Sequence, residues 1–226
     1  MSEDNSIYCS IDEAIEELRQ GRLIVVVDDL NRENEGDLVI AAEKATPENI
    51  NFMMRNGCGL VCLAMSTSIC NRLNLDVLPS PHSEGITTPF TPYIDARTGI
   101  TTGTSSFDRA RTVQVAIDEN STPHDLIRGK GHVPGLKARD GGVLVRAGHT
   151  EGSVDLARLA GLKEAAVICE VVNPDGTMAR VADLIPYCKK HGLKMCTIED
   201  LIKHRRQREK LIRREIELKL PTKLGN

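Results

Sequence analysis

The stretch LIVVVDDLNRENEGDLVIAA, residues 23–42, predicts the fold class of this chain. Its first part, Leu23 to Val27, is an unbroken apolar run, which is typical of a strand buried on both faces of a sheet. A polar and mostly acidic segment from Asp28 to Asp37 follows, and a second apolar run continues from Leu38 to Ala42. The pattern predicts two neighbouring strands joined by a charged loop.

Helices and further strands alternate along the rest of the chain. Ser10-Ile11-Asp12-Glu13 is a capping box, and apolar residues then recur at helical spacing until Gly21. Further helices are predicted after Thr46-Pro47, over Phe107–Ile117, from about Thr150 to Gly161, over Ala179–Lys190 and after Thr197. Strands are predicted at Leu60–Ala64, near Tyr93–Asp95, and at Val143–Val145, Ala165–Val172 and Met195–Cys196. The interleaving predicts one α/β domain of three layers, a mixed twisted sheet flanked by helices.

Charge divides the chain into a body, residues 1–202, and a basic tail, residues 203–226. From Lys203 to Lys223 there are nine Lys or Arg and three Glu, although the whole chain has a net charge of −3. The body is therefore acidic and repels phosphate backbones, so nucleic acid is not expected as a partner. A separate reading is a nucleic-acid binder that uses the basic tail, with binding that depends on salt.

Composition excludes several classes of protein. Apolar residues make up 40% and charged residues 27% of the chain, as in ordinary globular domains. Aromatic residues make up only 3%, which is too few for base-stacking platforms. No apolar run is long enough to span a membrane. The seven cysteines form no CxxC motif and no secretory signal precedes the first helix, so a cytoplasmic location is expected.

The acidic segment 28–37 is the first candidate site. Carboxylates crowded this closely repel one another unless a cation or water compensates them, and Mg²⁺ prefers carboxylate oxygens and water. Arg32 adds a planar fork that suits a phosphate or carboxylate. A solvated charged turn is the alternative interpretation.

A second candidate is Arg146-Ala147-Gly148-His149-Thr150-Glu151, at the start of a predicted helix. Backbone N–H groups at a helix N-terminus bind anions, and Arg146 and the Thr150 hydroxyl would add to that binding. His149 is a candidate metal ligand or base. An ordinary helix cap with a solvated histidine is the alternative.

Four further features have both a functional and a structural interpretation. His132 lies in a glycine-rich segment and is either catalytic or incidental. Thr101–Arg109 combines hydroxyls, a glycine and a helix start, and suits phosphate or a simple cap. Glu170 ends an apolar strand and is either an acid–base group or a structural carboxylate paired with Arg180. Cys62 lies on an apolar strand, which favours an inert buried thiol.

Together these segments resemble one family, the 3,4-dihydroxy-2-butanone 4-phosphate synthases of riboflavin biosynthesis. The similarity extends over about residues 10–202. Its motifs are DDLNRENEGD at 28–37, TGTSSFDR at 102–109, GHV at 131–133, GGVLVRAGHTE at 141–151 and CEVVNPDGTMAR at 169–180. The basic end resembles the junction to a GTP cyclohydrolase II domain in two-domain relatives, and that domain is absent from this sequence.

The resemblance implies an enzyme that converts D-ribulose 5-phosphate into 3,4-dihydroxy-2-butanone 4-phosphate and formate. It implies Mg²⁺ or Mn²⁺ as cofactor, with two ions per site, and a homodimer with active sites at the subunit interface. A different metal-dependent sugar-phosphate isomerase or aldolase is the alternative enzyme, since these enzymes share enediol chemistry.

The resemblance also implies a role for individual residues. Metal ligands would be Glu33 and His149. Substrate contacts would be Arg32, Glu33, Asp37, Thr104, Ser105, Arg146, Ala147, Gly148, His149, Thr150 and Glu170. Residues expected to take part in catalysis are His132, Glu170, Glu35, Asp37 and Cys62.

Overall fold

A computed structural model describes residues 7–30, 32–79 and 88–209. Its helices are α1 (Ile11–Arg19), α2 (Pro47–Phe52), α3 (Thr67–Arg72), α4 (Ser106–Ile117), α5 (His149–Leu159), α6 (Val181–His191) and α7 (Ile198–Arg208). Its strands are β1 (Ile24–Val27), β2 (Gly36–Ala41), β3 (Cys62–Met65), β4 (Ile94–Ala96), β5 (Leu126–Arg128), β6 (Gly135–Lys137), β7 (Ala165–Glu170) and β8 (Lys194–Thr197).

Within these residues, six strands form one mixed sheet in the order β6-β3-β7-β2-β1-β8. Three adjacent pairs, β1–β2, β2–β7 and β7–β3, are antiparallel. The two outer pairs, β1–β8 and β3–β6, are parallel. β4 and β5 form a separate antiparallel pair. The expected α/β class and mixed sheet are confirmed.

The large sheet is covered on both faces, which makes three layers. Successive strand residues point to opposite faces, so Val25 and Val26 belong to different apolar clusters. The cluster with Val25 is completed by residues of α2, α3, α4 and α6. The cluster with Val26 is completed by α1, α5 and α7. Burial on both faces explains why β1 is a continuous apolar run and does not alternate.

Side-chain caps begin the predicted helices where the sequence places them. Ser10 and Glu13 form a reciprocal capping box at α1, and Thr46 caps α2 ahead of Pro47. Thr197 caps α7 by accepting a hydrogen bond from the Asp200 backbone N–H. These local signals predict helix starts well because each satisfies a backbone donor that the helix itself leaves free.

The predicted strand at Val143–Val145 is wrong. A 3₁₀ turn over Gly142–Leu144 replaces it. The Val143 N–H donates to the carboxylate of Asp155 at 2.8 Å, so it is not available to a strand partner. Gly141 and Gly142 both have positive φ, 90° and 62°, which extended backbone does not allow.

The C-terminal helix packs on the body of the domain. α7 runs through the boundary expected at residue 202, and the guanidinium of Arg205 is buried against Asp155 at 2.7 Å. Arg205 also donates to the carbonyl oxygen of Gly141 at 2.8 Å. Residues 210–226 of the predicted basic tail lie outside the described residues. None of the helices described up to residue 209 has the length and apolarity that crossing a membrane requires.

Candidate active site

The candidate site lies at the edge of the sheet where β1 and β7 end and β2 begins. Asp37 of β2 pairs with Val26 of β1 on one side and with Glu170 of β7 on the other. α5 begins at the same edge, because the imidazole Nε2 of His149 lies 3.2 Å from the Val26 carbonyl oxygen. The acidic loop and the predicted helix N-terminus, far apart in the sequence, therefore meet here.

Asp28, the first residue after β1, gives the acidic loop its shape. Its carboxylate is fully buried and accepts a hydrogen bond from Arg32 Nη1 at 2.7 Å. It also accepts from the backbone N–H groups of Glu33 at 3.2 Å and Glu35 at 2.8 Å. The sequence alone assigns Asp28 no role beyond membership of the acidic segment. The signal that could have found it is its position as the first carboxylate after a buried strand.

Glu33 and His149, the two predicted metal ligands, are neighbours. Glu33 Oε2 lies 3.8 Å from His149 Nδ1. The other imidazole nitrogen, Nε2, donates to the carbonyl of Val26, so Nδ1 is the nitrogen that faces the carboxylates. The Glu33 side chain is 37% exposed and that of His149 is 6% exposed. A ligand would therefore reach the pair from the Glu33 side.

Asp37 has a buried carboxylate, and one of its oxygens lacks a hydrogen-bond partner among the described residues. Among the residues that the structure describes, its Oδ1 accepts no hydrogen bond, and it lies 3.8 Å from His149 Nδ1. A buried polar atom without a partner is costly, which points to a cation or substrate group at this place. Asp37 was expected in the acidic loop. It is in β2 instead, because Gly36 and Asp37 already pair with β1.

The charges of the cluster shift one another's protonation. Burial raises the pKa of Asp37 to about 7, and the charge of His149 limits the rise. Burial opposes the charged form of His149, but Asp37 and Glu33 outweigh it and raise the imidazole pKa to about 9. The imidazole of His149 lowers the pKa of Glu33 to about 2, and Arg32 acts in the same direction. Burial, aided by Glu33, raises the pKa of Glu35.

The side chains present fit a divalent cation. Ligand atoms of Asp28, Glu33 and His149 all lie within 4.8 Å of one another. Carboxylate oxygens and one imidazole suit Mg²⁺ or Mn²⁺. Asp28 uses both carboxylate oxygens in hydrogen bonds within the loop. Glu33 Oε2 pairs with Arg32 Nη1 at 2.8 Å, at the half-exposed mouth of the group, and His149 Nδ1 faces this carboxylate.

Two guanidinium groups converge at the N-terminus of α5. A Cβ atom added to Gly148 would lie 2.5 Å from Arg146 Nη1 and 2.9 Å from Arg32 Nη2. Gly148 is the N-cap of α5, so the free backbone N–H groups of the helix begin at the same point. Two positive side chains at a helix N-terminus make an anion site. A side chain at this position would push the two arginines apart.

Arg146 is held in place by Glu151. Its Nη1 lies 2.6 Å from Glu151 Oε2, and the Glu151 side chain is fully buried. The same carboxylate accepts from the backbone N–H of Arg139 at 3.2 Å. Beside this pair, Thr150 is buried in the first turn of α5 and Ala147 is exposed. Glu151 belongs to the quoted motif but received no role from the sequence.

Glu170 is the last residue of β7. Its Oε2 accepts from the backbone N–H of Leu60 at 2.7 Å. The alternative interpretation, a structural carboxylate paired with Arg180, does not agree with the contacts of Arg180. Arg180 donates to the carbonyl oxygens of Glu33 and Asn34 and so supports the acidic loop from outside.

The segment Thr101–Arg109 is shaped by Asp108. Its carboxylate accepts from the backbone N–H and the hydroxyl of Thr101 at 2.9 and 2.7 Å, and from the Gly103 N–H at 3.0 Å. Ser105 is the N-cap of α4 and accepts from the Asp108 N–H. The Ser105 hydroxyl therefore has a structural partner, and Thr104 beside it is exposed.

His132 is paired with a buried carboxylate that the sequence analysis missed. Asp95 Oδ2 lies 2.7 Å from the His132 Nδ1 atom, and Asp95 Oδ1 accepts from the His132 backbone N–H at 3.0 Å. Arg109 Nη1 donates to the His132 carbonyl at 2.6 Å. Val133, the next residue, forms a bridge with Ile94 of β4 and so holds this segment against the small sheet.

Cys62 is buried at the start of β3, with 2% of its surface exposed. Burial raises the pKa of its thiol, and the charges of Glu170 and Asp37 add to the rise. The thiol therefore stays protonated, as expected for an inert cysteine. The catalytic role expected for Cys62 stays a prediction.

The structure thus gathers most of the predicted residues at one edge of the sheet. Those in mutual contact or pairing are Arg32, Glu33, Asp37, Arg146, Gly148, His149 and Glu170. Glu35 belongs to the same loop through Asp28. Within the described chain His132, Thr104 and Ser105 form a second group, held together by Arg109, which donates to the carbonyl oxygens of Thr104 and His132.

Comparison with known proteins gives one consistent family. The family model described as 3,4-dihydroxy-2-butanone 4-phosphate synthase matches residues 12–204. A riboflavin biosynthesis protein RibBA of Aquifex aeolicus is 54% identical over 96% of this chain and 54% of its own length. A 3,4-dihydroxy-2-butanone 4-phosphate synthase of Photobacterium phosphoreum is 50% identical over 94% of this chain and 58% of its own. The chain thus spans little more than half the length of these relatives.

Solved structures agree with the sequences. A two-domain 3,4-dihydroxy-2-butanone 4-phosphate synthase from A. baumannii has a TM-score of 0.89 and 46% identity, covering 96% of this chain and 64% of that one. A 3,4-dihydroxy-2-butanone 4-phosphate synthase in complex with two magnesium ions has a TM-score of 0.83 and 36% identity, covering 89% of this chain and 98% of that one.

Proposed function

Because the chain belongs to the 3,4-dihydroxy-2-butanone 4-phosphate synthase family, we propose that it converts D-ribulose 5-phosphate into 3,4-dihydroxy-2-butanone 4-phosphate and formate in riboflavin biosynthesis. The observation that carries the proposal is the contact of Glu33 with His149, 3.8 Å apart. The Glu33–His149 pair lies beside a carboxylate oxygen of Asp37 that is buried and has no hydrogen-bond partner among the described residues. Carbon C4 of the ketose leaves as formate, and the remaining carbons form the phosphorylated product, so no oxidant is required.

Mg²⁺ or Mn²⁺, two ions per site, is the proposed cofactor. The related structure with two magnesium ions supports this number. Glu33 and His149 are the residues of this chain that would hold the metal, and the orphaned oxygen of Asp37 lies within 3.8 Å of the same imidazole nitrogen. A divalent cation supplies Lewis-acid polarisation of carbonyl and hydroxyl oxygens.

The phosphate of the substrate is assigned to the anion site at Gly148. Arg32 and Arg146 approach this glycine from two sides, and the α5 backbone adds free N–H groups. Thr150 in the first helical turn is a further donor. This arrangement orients a five-carbon chain so that its carbonyl end extends toward Glu33 and Asp37. Binding of the phosphate then fixes which carbon the acid–base groups reach.

The reaction needs at least one base and one acid, which remove the C3 proton and assist loss of the C1 hydroxyl. Asp37, with a pKa of about 7, exchanges a proton readily near neutral pH. Glu170 faces Asp37 across the β2–β7 pair and is the second carboxylate in reach. His132 is the third group, held at its ring by Asp95.

A homodimer with the active site at its interface is part of the proposal. Three large apolar side chains beside site segments are exposed in the single chain: Leu30 (75%), Phe107 (69%) and Val145 (60%). In the sequence they lie one or two residues from Arg32, Ser105 and Arg146, and a second copy that buried them would come close to the site segments. Light scattering should give about twice the chain mass of 24.8 kDa. Particles of the single-chain mass at micromolar concentration would contradict the interface.

Product analysis separates this proposal from its alternative. Incubation with ribulose 5-phosphate and Mg²⁺ should release formate in equal amount to the four-carbon product. Another metal-dependent sugar-phosphate isomerase or aldolase would consume the same substrate without formate. A cytoplasmic location is also proposed, since all seven cysteines are free thiols, as is usual in a reducing compartment.

A further inference from the structure

Asp95 directs both of its carboxylate oxygens at one residue. Oδ1 accepts from the backbone N–H of His132 at 3.0 Å, and Oδ2 lies 2.7 Å from the ring nitrogen Nδ1. The Asp95 side chain is 5% exposed and the His132 side chain is 38% exposed. A buried carboxylate thus binds the Nδ1 side of an imidazole that is accessible to solvent.

The chemistry of the two groups fixes where the ring proton lies. An ionised carboxylate only accepts hydrogen bonds, so Nδ1 must carry the proton of the neutral imidazole. Nε2 is then the nitrogen with the free lone pair. None of the described residues hydrogen-bonds Nε2, so it remains available to a ligand.

The surroundings leave the pair little freedom. A Cβ atom at Gly103 would lie 2.4 Å from both Asp95 Oδ2 and His132 Nδ1. Gly103 has φ of +93°, which also requires glycine. On the opposite side, Arg109 Nη1 holds the His132 carbonyl at 2.6 Å. Gly103 thus leaves the space in which the Asp95 carboxylate and the His132 ring meet, and Arg109 holds the His132 backbone beside it.

We propose that Asp95 is a positioning residue that fixes the Nδ1–H tautomer of His132 and so presents Nε2 as a proton acceptor to the substrate. This rests on the proposed function, in which His132 takes part in catalysis. Asp95 itself does not touch the substrate. Its effect is transmitted through the protonation pattern of the ring it holds.

Replacing Asp95 by Asn should reverse the tautomer. The His132 backbone N–H still requires an acceptor, so the amide oxygen of Asn takes that place and the NH₂ group faces Nδ1. Nδ1 must then accept, and the proton moves to Nε2. The group presented to the substrate becomes a donor. A reversal of this kind lowers kcat by on the order of 10⁴-fold in a comparable aspartate–histidine pair.

Replacing Asp95 by Ala should do less harm than replacing it by Asn. Alanine removes the carboxylate and leaves room for water, which accepts or donates as the ring requires. Both tautomers are then populated, and part of the enzyme retains a free Nε2. A purely structural role predicts the opposite order, since Asn fills the space of Asp and Ala leaves a cavity.

The test measures the tautomer and the activity separately. Protein labelled with ¹⁵N-histidine is examined by two-dimensional ¹⁵N–¹H NMR, and the His132 signals are identified by their loss in His132→Gln. Formate release is measured for the same samples, and circular dichroism checks their folding. Asp125→Asn is the matched control, because Asp125 also accepts from a backbone N–H and a side chain, both of Thr122, in an exposed turn.

We expect the Nδ1–H tautomer of His132 in the wild type and the Nε2–H tautomer in Asp95→Asn. The value of kcat should be highest and equal in the wild type and Asp125→Asn, lower in Asp95→Ala and lowest in Asp95→Asn. An Nε2–H tautomer in the wild type overturns the inference, as does kcat of Asp95→Ala at or below that of a folded Asp95→Asn. If Asp95→Asn does not fold, the wild-type spectrum and Asp95→Ala decide. Absence of formate from the wild type would refute the proposed function, and the NMR result would still decide the tautomer.

Discussion

Glu33 in the loop after β1 and His149 at the start of α5 face each other within one chain, with Oε2 3.8 Å from Nδ1. Both predicted metal ligands are thus supplied by a single protomer. Asp28 makes this possible, because its hydrogen bond to the Glu33 backbone N–H fixes the part of the loop from which Glu33 extends. The proposed metal site and the proposed dimer interface therefore have separate tests.

Removal of the metal should abolish formate release. Chelation with EDTA, followed by restoration with Mg²⁺ or Mn²⁺, should switch the activity off and on. Glu33→Gln and His149→Ala should each lower activity by more than about 100-fold, since even residues that only support a metal ligand cost 10- to 100-fold in affinity or activity. The measurement is formate release together with metal content of the dialysed protein.

Glu16→Gln is the matched control for Glu33→Gln. Glu16 also lies near an arginine, Arg19 at 3.7 Å, but on the exposed surface of α1. It should leave both metal content and activity unchanged. Formate release that persists undiminished in EDTA would show that the metal role is wrong.

Gly148→Ala should weaken substrate binding without unfolding the protein. The new methyl group meets only the ends of two flexible side chains, Arg146 and Arg32, which move apart to make room. The backbone at Gly148, with φ of −122°, accepts alanine. KM for ribulose 5-phosphate should rise about tenfold, equivalent to ~1.4 kcal/mol. The free energy of unfolding in urea should change by less than about 1 kcal/mol.

Gly152→Ala in the same helix is the control. The nearest side-chain atoms would be 3.6 Å away, which is ordinary van der Waals contact. Alanine there should stabilise α5 by about 0.5–1 kcal/mol and leave KM unchanged. Equal KM values for the two variants would argue against an anion site at Gly148.

The sequence predicts well what is local or bears a strong motif. Capping residues such as Ser10 and Thr46 place helix starts because their partners lie within one turn. Apolar continuity identifies β1 and β7 because both faces of the sheet are covered. The ligand pair Glu33 and His149 rests on the family resemblance, since spacing along the chain does not reveal a contact across the sheet edge.

Two carboxylates that the sequence does not single out, Asp95 and Asp155, act on partners that lie 37 and 12 residues away. Asp95 pairs with His132, and Asp155 draws Val143 out of the expected strand. Neither contact can be recognised from a periodic pattern in the sequence, because each involves a single side chain and a single partner residue. The sequence places Asp37 in the acidic loop because it continues a run of charged residues, which is usually exposed to solvent. The pairing of β2 with β1 and β7 shows that Asp37 belongs to a buried strand.

Asp108→Asn should reduce stability in a way that depends on pH. Hydrogen bonds from Thr101 and Gly103 hold the pKa of Asp108 at about 2, below its ordinary 3.8. A carboxyl whose folded-state pKa is depressed contributes stability above its unfolded pKa and loses it as pH falls toward the folded pKa. The difference in urea midpoint between wild type and Asp108→Asn should therefore have its largest value at pH 6 and decrease between about pH 4 and 2.

Asp140→Asn supplies the comparison for that experiment. Asp140 is exposed, and among the described residues no hydrogen bond reaches its carboxylate. The difference in urea midpoint between Asp140→Asn and the wild type should stay small at every pH. If the Asp108→Asn difference remained constant down to pH 2, the hydrogen bonds would not be acting through the charge.

Arg146→Met should destabilise the protein more than Glu151→Gln does. The Glu151 side chain is fully buried, whereas that of Arg146 is 13% exposed. Without Arg146 the carboxylate is left buried and uncompensated, which costs about 3–5 kcal/mol. Without the charge of Glu151 the guanidinium still reaches solvent, and the loss is on the order of 1.5–3 kcal/mol. Arg22→Met should destabilise the protein least of the three, because Arg22 pairs with Glu17 but is half exposed and solvent screens the pair. Urea unfolding of the three variants measures the order. A larger loss for Glu151→Gln than for Arg146→Met would mean that Glu151 supports the loop through Arg139 and not through the ion pair.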